Sequence, residues 1–357
     1  MAKTIEVATV AVNSAFSSAA SPARTAERLL AEARVAVRPA LERMVGELPE
    51  PLRTMAGYHL GWWDIAGTRA PAAAGKTLRP ALVFAAADAC GGPMSCQAIA
   101  AAGAVELIHN FTLLHDDVMD GDRTRRGRET VWSIWGIPDA ILLGDVLHTV
   151  AIELLVQNLT PDCSAAAVAR LESAVVELCR GQHEDCEFER RAPVDTDEYL
   201  RMAMGKTGSL MGAACALGAV SAHADLAVTS TMDVFGREIG VAFQIVDDML
   251  GIWGETAVTG KPTGADLARR KQSLPVVAAL QSGTRAGAEL AELYGCGQPL
   301  TAGQVHRAGA LIEESGARTI ARTMAGDRMT AALAALPDPT RARDLMTLAD
   351  LLVRRDR

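Results

Sequence analysis

Two pairs of adjacent aspartates, each at the end of a long apolar segment, constrain this chain more than any other feature of its sequence. Asp116 and Asp117 follow the segment from Ala101 to Leu114, in which apolar residues recur at helical spacing. A helix over that segment places Asp116 and Asp120 one turn apart on the same face. The sequence therefore predicts two carboxylates stacked at the end of a buried helix.

The stacked carboxylates need a positive partner, because like charges four residues apart in a helix repel each other and are costly to bury. Oxygen ligands suit magnesium, which binds through one or two carboxylates and takes further oxygens from water and a phosphate group. Arg125 and Arg126 follow the acids, and guanidinium groups bind phosphate through paired hydrogen bonds. We favour a metal and phosphate site over a solvated acidic helix end, because these acids follow an apolar run.

A second acidic pair strengthens this interpretation. Asp247 and Asp248 end another apolar helical segment, and a loop rich in glycine and lysine follows them from Thr259 to Asp266. We expect the two acidic helix ends to face one cavity.

Several short motifs occur in a fixed order between about Gly75 and Pro275. Along the chain they are Gly75-Lys76-Thr77-Leu78-Arg79-Pro80, Glu106-Leu107-Ile108-His109, His115 to Asp120, Gly181 to Asp185, Lys206-Thr207-Gly208, Gln244 to Asp248 and Gly260-Lys261-Pro262. In this order the set resembles the trans-isoprenyl diphosphate synthases, or polyprenyl synthetases, which include farnesyl and geranylgeranyl diphosphate synthases. A single motif would be weak evidence, whereas the ordered set is specific.

The resemblance implies a prenyltransferase that joins isopentenyl diphosphate to an allylic diphosphate with the help of magnesium. Three magnesium ions are expected on Asp116, Asp117, Asp120, Asp247 and Asp248. The isopentenyl diphosphate is expected at Lys76, Arg79, His109 and Arg126. The allylic diphosphate is expected at Arg125, Lys206, Thr207, Gln244, Lys261 and Lys271. The residues expected to carry the reaction are Asp116, Asp120, Arg125, Lys206, Asp247 and Lys261.

Some of these residues have a simpler interpretation when the resemblance is set aside. His109 alone would be read as a core histidine, and Lys206 alone as a surface lysine. For Gln182 and Asp185, a place beside the first metal cluster and a solvated acidic face are equally supported.

The chain departs from the family pattern in two places. Gly251 stands where the second motif normally has its third aspartate, and Arg269-Arg270-Lys271 replaces the usual x-Gly-Lys. Losing one carboxylate should weaken the second metal cluster without abolishing it. The spacing to Lys271 is kept.

Product length is predicted from the residues just before the first motif. Phe111 lies five residues before Asp116, about 7.5 Å along a helix, and the next residue is the small Thr112. In the family, bulky residues at these two positions stop the growing chain. One aromatic favours a twenty-carbon over a fifteen-carbon product, unless Phe111 is ordinary core. Asp145 and His148 are read as core or interface residues.

Other functions stay open on the sequence alone. A farnesyl diphosphate synthase is the alternative within the family. A terpene cyclase shares the metal clusters but needs no isopentenyl diphosphate site, so Lys76, Arg79 and His109 argue against it. A low-activity or regulatory subunit of a heteromeric synthase is the third alternative, because the second motif lacks an aspartate.

The rest of the chain is patterned as helices. Its 357 residues are 49% hydrophobic and 22% charged, which is ample for a large core. Amphipathic helices are predicted over residues 23–46 and 51–65, and no Pro/Ser-rich linker follows. We predict an all-α protein, one large helical domain over residues 23–357. The resemblance implies the isoprenoid synthase type of bundle with a central cavity. Residues 1–22 are predicted to form a disordered arm.

Charge and composition argue against several other classes of protein. The formal net charge of -8 argues against general nucleic-acid binding. No apolar run reaches the roughly 18 residues that a membrane span needs. Seven scattered cysteines without a Cys-x-x-Cys pair indicate reduced thiols in a cytoplasmic protein. The resemblance implies a homodimer. The N-terminal arm is either a frayed terminus, which we favour, or a targeting segment recognised by a partner.

Overall fold

Helices make up almost all of the regular structure in the computed structural model of this chain, which describes residues 24–70, 75, 77–191, 193–254, 264–295 and 300–353. In the first half of the chain they are α1 (Ala26–Gly46), α2 (Leu52–His59), α3 (Leu78–Ala89), α4 (Cys96–Met119), α5 (Val131–Trp135), α6 (Ile137–Asn158) and α7 (Pro161–Phe188). They continue with α8 (Thr196–Ala203), α9 (Ser209–Ser221), α10 (Leu226–Trp253), α11 (Ala265–Ala268), α12 (Leu274–Leu280), α13 (Arg285–Gly295), α14 (Ala302–Glu314), α15 (Ala317–Ala335) and α16 (Arg343–Val353). Between α4 and α5, the short strands β1 (Thr124–Arg125) and β2 (Arg128–Glu129) pair antiparallel. The predicted all-α class is confirmed.

The described residues divide into two compact units. The first takes the described part of Met1–Glu172 together with Ala213–Met232 and Pro337–Leu348. The second takes Ser173–Gly212, Asp233–Leu336 and the described part of Ala349–Arg357. Four of the five boundaries fall within helices, so no linker composition marks them in the sequence. The arm predicted over residues 1–22 lies outside the described residues.

Helix α4 forms the core of the first unit, where it packs against α6, α3 and α1. Ser95 caps its start by accepting a hydrogen bond of 3.2 Å from the Ala98 backbone N–H. A Cβ on Gly103 would lie 2.8 Å from Leu154 Cδ2, so the missing side chain lets α6 approach closely. The helix ends at Met119, which leaves the first acidic motif at its C-terminal end, as predicted.

The same helix is apolar on average, although no continuous apolar run in it reaches 18 residues. Among the described residues, α4 meets the test of length and composition for a membrane span. Its most apolar window is 78% buried inside the protein, as in the core helix of a folded domain.

The core of the second unit surrounds the C-terminal half of α10. Ile245, Val246 and Met249 are at most 2% exposed and pack with Tyr199 of α8 and Val277 of α12. This packing fixes the orientation of the helix that carries the second aspartate pair.

A π-helical turn, Met204–Gly208, separates α8 from α9. The sequence predicts an interruption here because glycines flank Lys206 and Thr207, and the structure confirms it. A Cβ on Gly181 of α7 would overlap the backbone nitrogen of Lys206, and one on Gly205 would lie 2.8 Å from the Glu177 carbonyl oxygen. The two glycines therefore allow α7 and the turn to touch backbone to backbone.

The second predicted helix is shorter than its periodicity indicates. The sequence predicts a helix over residues 51–65, but α2 ends at His59. Gly61 adopts a φ of +75°, and the Trp62 N–H donates to the Gly57 carbonyl oxygen at 2.8 Å. The tryptophans belong to the turn that ends α2, so the predicted boundary is wrong.

Candidate active site

The first acidic motif places its three aspartates in different environments. Asp116 and Asp120 are half-buried at the end of α4, whereas Asp117 is only 2% exposed. Arg125 of β1 holds Asp117 Oδ1 through its Nε at 2.8 Å and its Nη2 at 2.7 Å. Burial raises the pKa of the Asp117 carboxyl, although Arg125 acts against that shift. Two residues predicted to bind metal and substrate are thus paired with each other.

The hairpin that carries Arg125 and Arg126 is anchored to the end of α2. Arg128 donates to the Tyr58 carbonyl oxygen at 3.1 Å, and the Tyr58 hydroxyl donates to the Glu129 carbonyl oxygen at 2.9 Å. Arg126 sits in the left-handed region with a φ of +53°, a conformation that non-glycine residues rarely adopt. Such a conformation persists where the surrounding contacts hold it. Here the hydrogen bonds of Arg128 and Tyr58 hold the hairpin.

Arg79 of α3 and His109 of α4 meet in the first unit. Arg79 Nη1 lies 3.3 Å from His109 Nε2. Burial, followed by the charges of Arg79 and Arg126, lowers the pKa of His109 well below its usual range. The imidazole is therefore neutral near pH 7, and its Nε2 accepts from the guanidinium.

The Glu106 carboxylate, for which the sequence predicts no role, lies beside these cations. Burial raises the pKa of Glu106, while the charges of Arg79 and Arg126 act in the opposite direction. Glu106 precedes His109 by three residues, so it shares its face of α4. A glutamate three residues before a histidine, within an otherwise apolar run, is the sequence pattern that could have identified Glu106 as a site residue.

Arg34 of α1 is a second residue that the sequence did not single out. Its Nη2 donates to the Gly75 carbonyl oxygen at 3.2 Å, and its Nε lies 3.4 Å from Thr77 Oγ1. A Cβ on Gly75 would lie 2.6 Å from Arg126 Nη2, so the glycine leaves space for that guanidinium. No local pattern links α1 to this motif, because the contact is tertiary. Lys76, predicted here as an anion ligand, lies outside the described residues.

In the second unit, Asp248 is enclosed by protein partners, whereas its neighbour Asp247 is exposed. The Tyr199 hydroxyl donates to Asp248 Oδ2 at 2.7 Å, the Leu274 N–H donates to the same oxygen at 3.0 Å, and Gln244 Nε2 donates to Oδ1 at 2.9 Å. Burial raises the pKa of Asp248 to about 7 against these hydrogen bonds. The carboxyl therefore ties α10 to α8 and to the start of α12.

The π-helical turn brings two further predicted residues into this network. Thr207 Oγ1 donates to Gln244 Oε1 at 2.6 Å, which continues the chain of hydrogen bonds from Asp248. Lys206 Nζ forms an ion pair with Asp185 of α7. Burial acts to raise the pKa of Asp185, but Lys206 and Lys271 outweigh it and hold the pKa below its usual range. Lys261, predicted beside them, lies outside the described residues.

Gly251 has a neighbour that the sequence could not reveal. A Cβ at this position would overlap Oδ2 of Asp266 and lie 2.7 Å from its Cγ. The Lys271 N–H donates to the Asp266 carbonyl oxygen at 2.9 Å. The space beside Gly251 therefore already holds a carboxylate, supplied by α11.

This contact predicts that restoring the third aspartate of the motif will not improve the enzyme. Gly251→Asp places a second carboxylate beside that of Asp266, whose flexible side chain must turn aside, so we expect a loss of about 1 kcal/mol in unfolding free energy together with lower turnover. Chemical denaturation and a turnover assay measure the two effects. The double variant Gly251→Asp/Asp266→Ala should regain stability. A Gly251→Asp variant that is more active and equally stable contradicts the prediction.

The carboxylate oxygens at the two acidic motifs suit magnesium as a ligand. Among the described residues, no group of three or more His, Cys, Asp or Glu side chains forms a protein-only metal cage. Magnesium does not need one, because it keeps waters and takes oxygens from phosphate. Magnesium prefers hard oxygen donors. The half-buried carboxylates of Asp116 and Asp120 are donors of this kind, and so is the Asp266 carboxylate beside Gly251.

Comparison with known proteins agrees with these motifs. The Polyprenyl synthetase family model matches residues 66–312. A geranylgeranyl diphosphate synthase of Mycobacterium tuberculosis is 53% identical over 336 residues, which cover 94% of this chain and 95% of that protein. A (2E,6E)-farnesyl diphosphate synthase of the same species is 46% identical over 256 residues, which cover 71% of this chain and 70% of that protein.

A solved structure gives the same result. The polyprenyl synthetase of Streptomyces coelicolor is 40% identical, with a TM-score of 0.86, and the match covers 91% of this chain and 98% of that one. The predicted family is confirmed, and with it the predicted fold type and enzyme class. The chain belongs to the polyprenyl synthetase family, the trans-isoprenyl diphosphate synthases.

Proposed function

We propose that this prenyltransferase joins isopentenyl diphosphate to an allylic diphosphate, with magnesium, and releases geranylgeranyl diphosphate. One observation carries the proposal: within the first unit, a carboxylate motif adjoins a group of cations. Asp117, Arg125 and Arg126 line the same cavity of about 30 Å³. An acidic metal site next to a basic phosphate site is what two diphosphate substrates require. The 53% identical relative named as a geranylgeranyl diphosphate synthase supports the twenty-carbon product.

Asp116, Asp120 and Asp247 are the proposed metal-binding carboxylates. When bound, magnesium supplies a Lewis acid that stabilises the charge developing on the departing diphosphate. Three ions are expected from the resemblance. Asp117 and Asp248, also predicted as ligands, already have short bonds to protein partners, so we assign them the orientation of the two helix ends.

Isopentenyl diphosphate is proposed to bind Arg79 and Arg126, with Lys76 and His109. The carboxylate of Glu106 attracts both guanidinium groups and so offsets part of the repulsion between them. Since His109 Nε2 accepts from Arg79, its proton lies on Nδ1 in the neutral ring. The imidazole then orients a cation that the phosphate oxygens bind.

The allylic diphosphate is proposed to bind Lys206 and Lys271 of the second unit, together with the predicted residues Thr207, Gln244 and Lys261. Arg125, which lies in the first unit, stays a prediction for the same ligand. The ion pair with Asp185 holds the ammonium group of Lys206 in place. Fixed positive charge near the departing diphosphate stabilises it as the carbon–oxygen bond breaks. The resulting allylic cation is attacked by the double bond of isopentenyl diphosphate, and loss of one proton completes the five-carbon extension.

Product length is proposed to depend on Phe111, with the small Thr112 beside it. Thr112 is 8% exposed and donates through its hydroxyl to the His109 carbonyl oxygen at 2.8 Å. Thr112 is therefore too small to stop the growing chain, and the Phe111 ring is proposed to do so. A second aromatic at that position would favour the fifteen-carbon product, which is the alternative.

A low-activity or regulatory subunit is the second candidate function, and Gly251 is the observation that favours it. The Asp266 carboxylate beside Gly251 argues against it, because the second unit still holds three acids near the end of α10. A terpene cyclase is disfavoured by the pairing of Arg79 with His109, since a cyclase binds no isopentenyl diphosphate.

A homodimer in the cytoplasm is proposed for the assembled enzyme. Ile137, Ile141, Leu142 and Val156 of α6 are 40% to 57% exposed, a row of apolar side chains that suits a self-complementary interface. None of the six cysteines in the described residues forms a disulfide, which fits a reducing compartment. The net charge of -8 gives no support for nucleic acid as a partner. A partner for the N-terminal arm stays a prediction.

The test is a product assay with purified protein, magnesium, labelled isopentenyl diphosphate and each allylic starter in turn. We expect elongation that stops at twenty carbons and that ceases when a chelator removes magnesium. A fifteen-carbon end product would favour the farnesyl alternative. No elongation with any starter, by a protein that remains folded, would favour the regulatory subunit.

A further inference from the structure

Phe111 is held between two histidine rings of the first unit. His148 of α6 stacks on it, with ring centroids 5.3 Å apart and planes inclined by 19°. His115 of α4 meets it edge-on, at 4.8 Å and 74°. Phe111 is 8% exposed. The orientation of its ring is therefore set by aromatic neighbours on two helices.

His148 is in turn held by Glu172 of α7. Its Nε2 lies 2.8 Å from Glu172 Oε1 and 3.1 Å from Oε2, so the ring donates a hydrogen bond to the carboxylate. This bond fixes the ring plane of His148, because rotation would break it. The stacking partner of Phe111 is thus anchored to a third helix.

The second histidine is fixed independently. His115 Nε2 donates to the Ile141 carbonyl oxygen at 3.0 Å. A Cβ on Gly144 would overlap the His115 ring, so this glycine leaves the space that the ring occupies. His115 supports one edge of Phe111, whereas His148 covers its face.

We propose that His148, oriented by Glu172, sets the length of the product by holding the Phe111 ring across the path of the growing chain. This inference rests on the proposed elongation reaction. Phe111 lies five residues before Asp116, about 7.5 Å along α4, which is within reach of a chain that grows along this helix. Without its stacking partner, the ring can rotate about its side-chain bonds and open the path. His148 acts through Phe111 and is a positioning residue.

The test compares product lengths at equal substrate conversion. Phe111→Ala and His148→Ala should each shift the main product from twenty carbons to twenty-five or more. Glu172→Ala should give a mixture of both lengths, because His148 remains but is no longer anchored. Glu172→Gln should keep the wild-type length, since the amide oxygen still accepts from His148 Nε2. The exposed His306→Ala on α14 is the control, and circular dichroism checks that each variant is folded.

A double variant decides whether His148 acts through the ring. Phe111→Ala/His148→Ala should give the same products as Phe111→Ala alone, because no ring remains to be held. If His148→Ala still stops at twenty carbons while Phe111→Ala does not, the inference is wrong. If Phe111→Ala keeps the wild-type product length, the Phe111 ring does not stop the growing chain and the inference is equally wrong. A wild-type enzyme that never reaches twenty carbons contradicts the proposed function instead.

Discussion

Asp116→Ala and Asp120→Ala are each expected to lower turnover about a thousandfold while the protein stays folded. Each variant removes one of two oxygen donors at the end of α4. The same change removes repulsion between like charges one turn apart, and for Asp116 it also removes an attraction to Arg125. Because these contributions oppose each other, the melting temperature without magnesium should stay close to that of the wild type. Steady-state kinetics and thermal melting followed by circular dichroism measure the two effects.

A readout beside turnover separates metal binding from other causes of inactivity. Magnesium together with a non-reacting diphosphate analogue should raise the melting temperature of the wild type, and should do so much less in either variant. Asp162→Ala, an exposed change on α7, is the control and should behave as wild type. Turnover near the wild-type value in Asp116→Ala or Asp120→Ala would remove the basis for the metal assignment.

Gly181→Ala is expected to lower the unfolding free energy by about 3 kcal/mol and to remove most of the activity. The new Cβ would overlap the backbone nitrogen of Lys206 and lie 2.8 Å from the Met202 carbonyl oxygen. Backbone atoms of a π-helical turn cannot move aside as a flexible side chain can. Separating α7 from the turn also pulls Asp185 away from Lys206. Chemical denaturation and kinetics with the allylic substrate as the varied component check both effects.

A matched glycine in the same unit should respond in the opposite direction. Gly326 lies within α15, is exposed, and no atom of another part of the described structure lies within 4 Å of where its Cβ would be. Gly326→Ala should stabilise the protein by up to about 1 kcal/mol, because alanine favours a helix more than glycine does. Equal stability changes at both positions would show that the close approach at Gly181 is unimportant.

Local patterns in the sequence were sufficient to predict the family, the helical class and the position of both acidic motifs at the ends of helices. Periodicity located α4 and α10 because each buries most of one face, and burial forces apolar residues to recur at helical spacing. The glycines around Lys206 predicted an interruption, which the structure resolves as a π-helical turn. The end of α2 was missed because its tryptophans continue the apolar pattern into a turn.

The partners of the charged residues were decided by the tertiary structure alone. Asp117 pairs with Arg125 and Asp185 with Lys206, and neither pairing follows from spacing along one helix. The carboxylate of Asp266 fills the space beside Gly251, which the sequence shows only as a missing aspartate.

The sequence by itself determined which kinds of chemical group this protein has and the order in which they occur. Residue types and helical repeats are local properties, so they can be read along the chain. Only the tertiary structure decided which carboxylates are enclosed by protein partners and which remain at the surface of each unit. The physical reason is that burial and ion pairing depend on residues far apart in sequence, such as Tyr199 and Asp248, that packing brings within 2.7 Å.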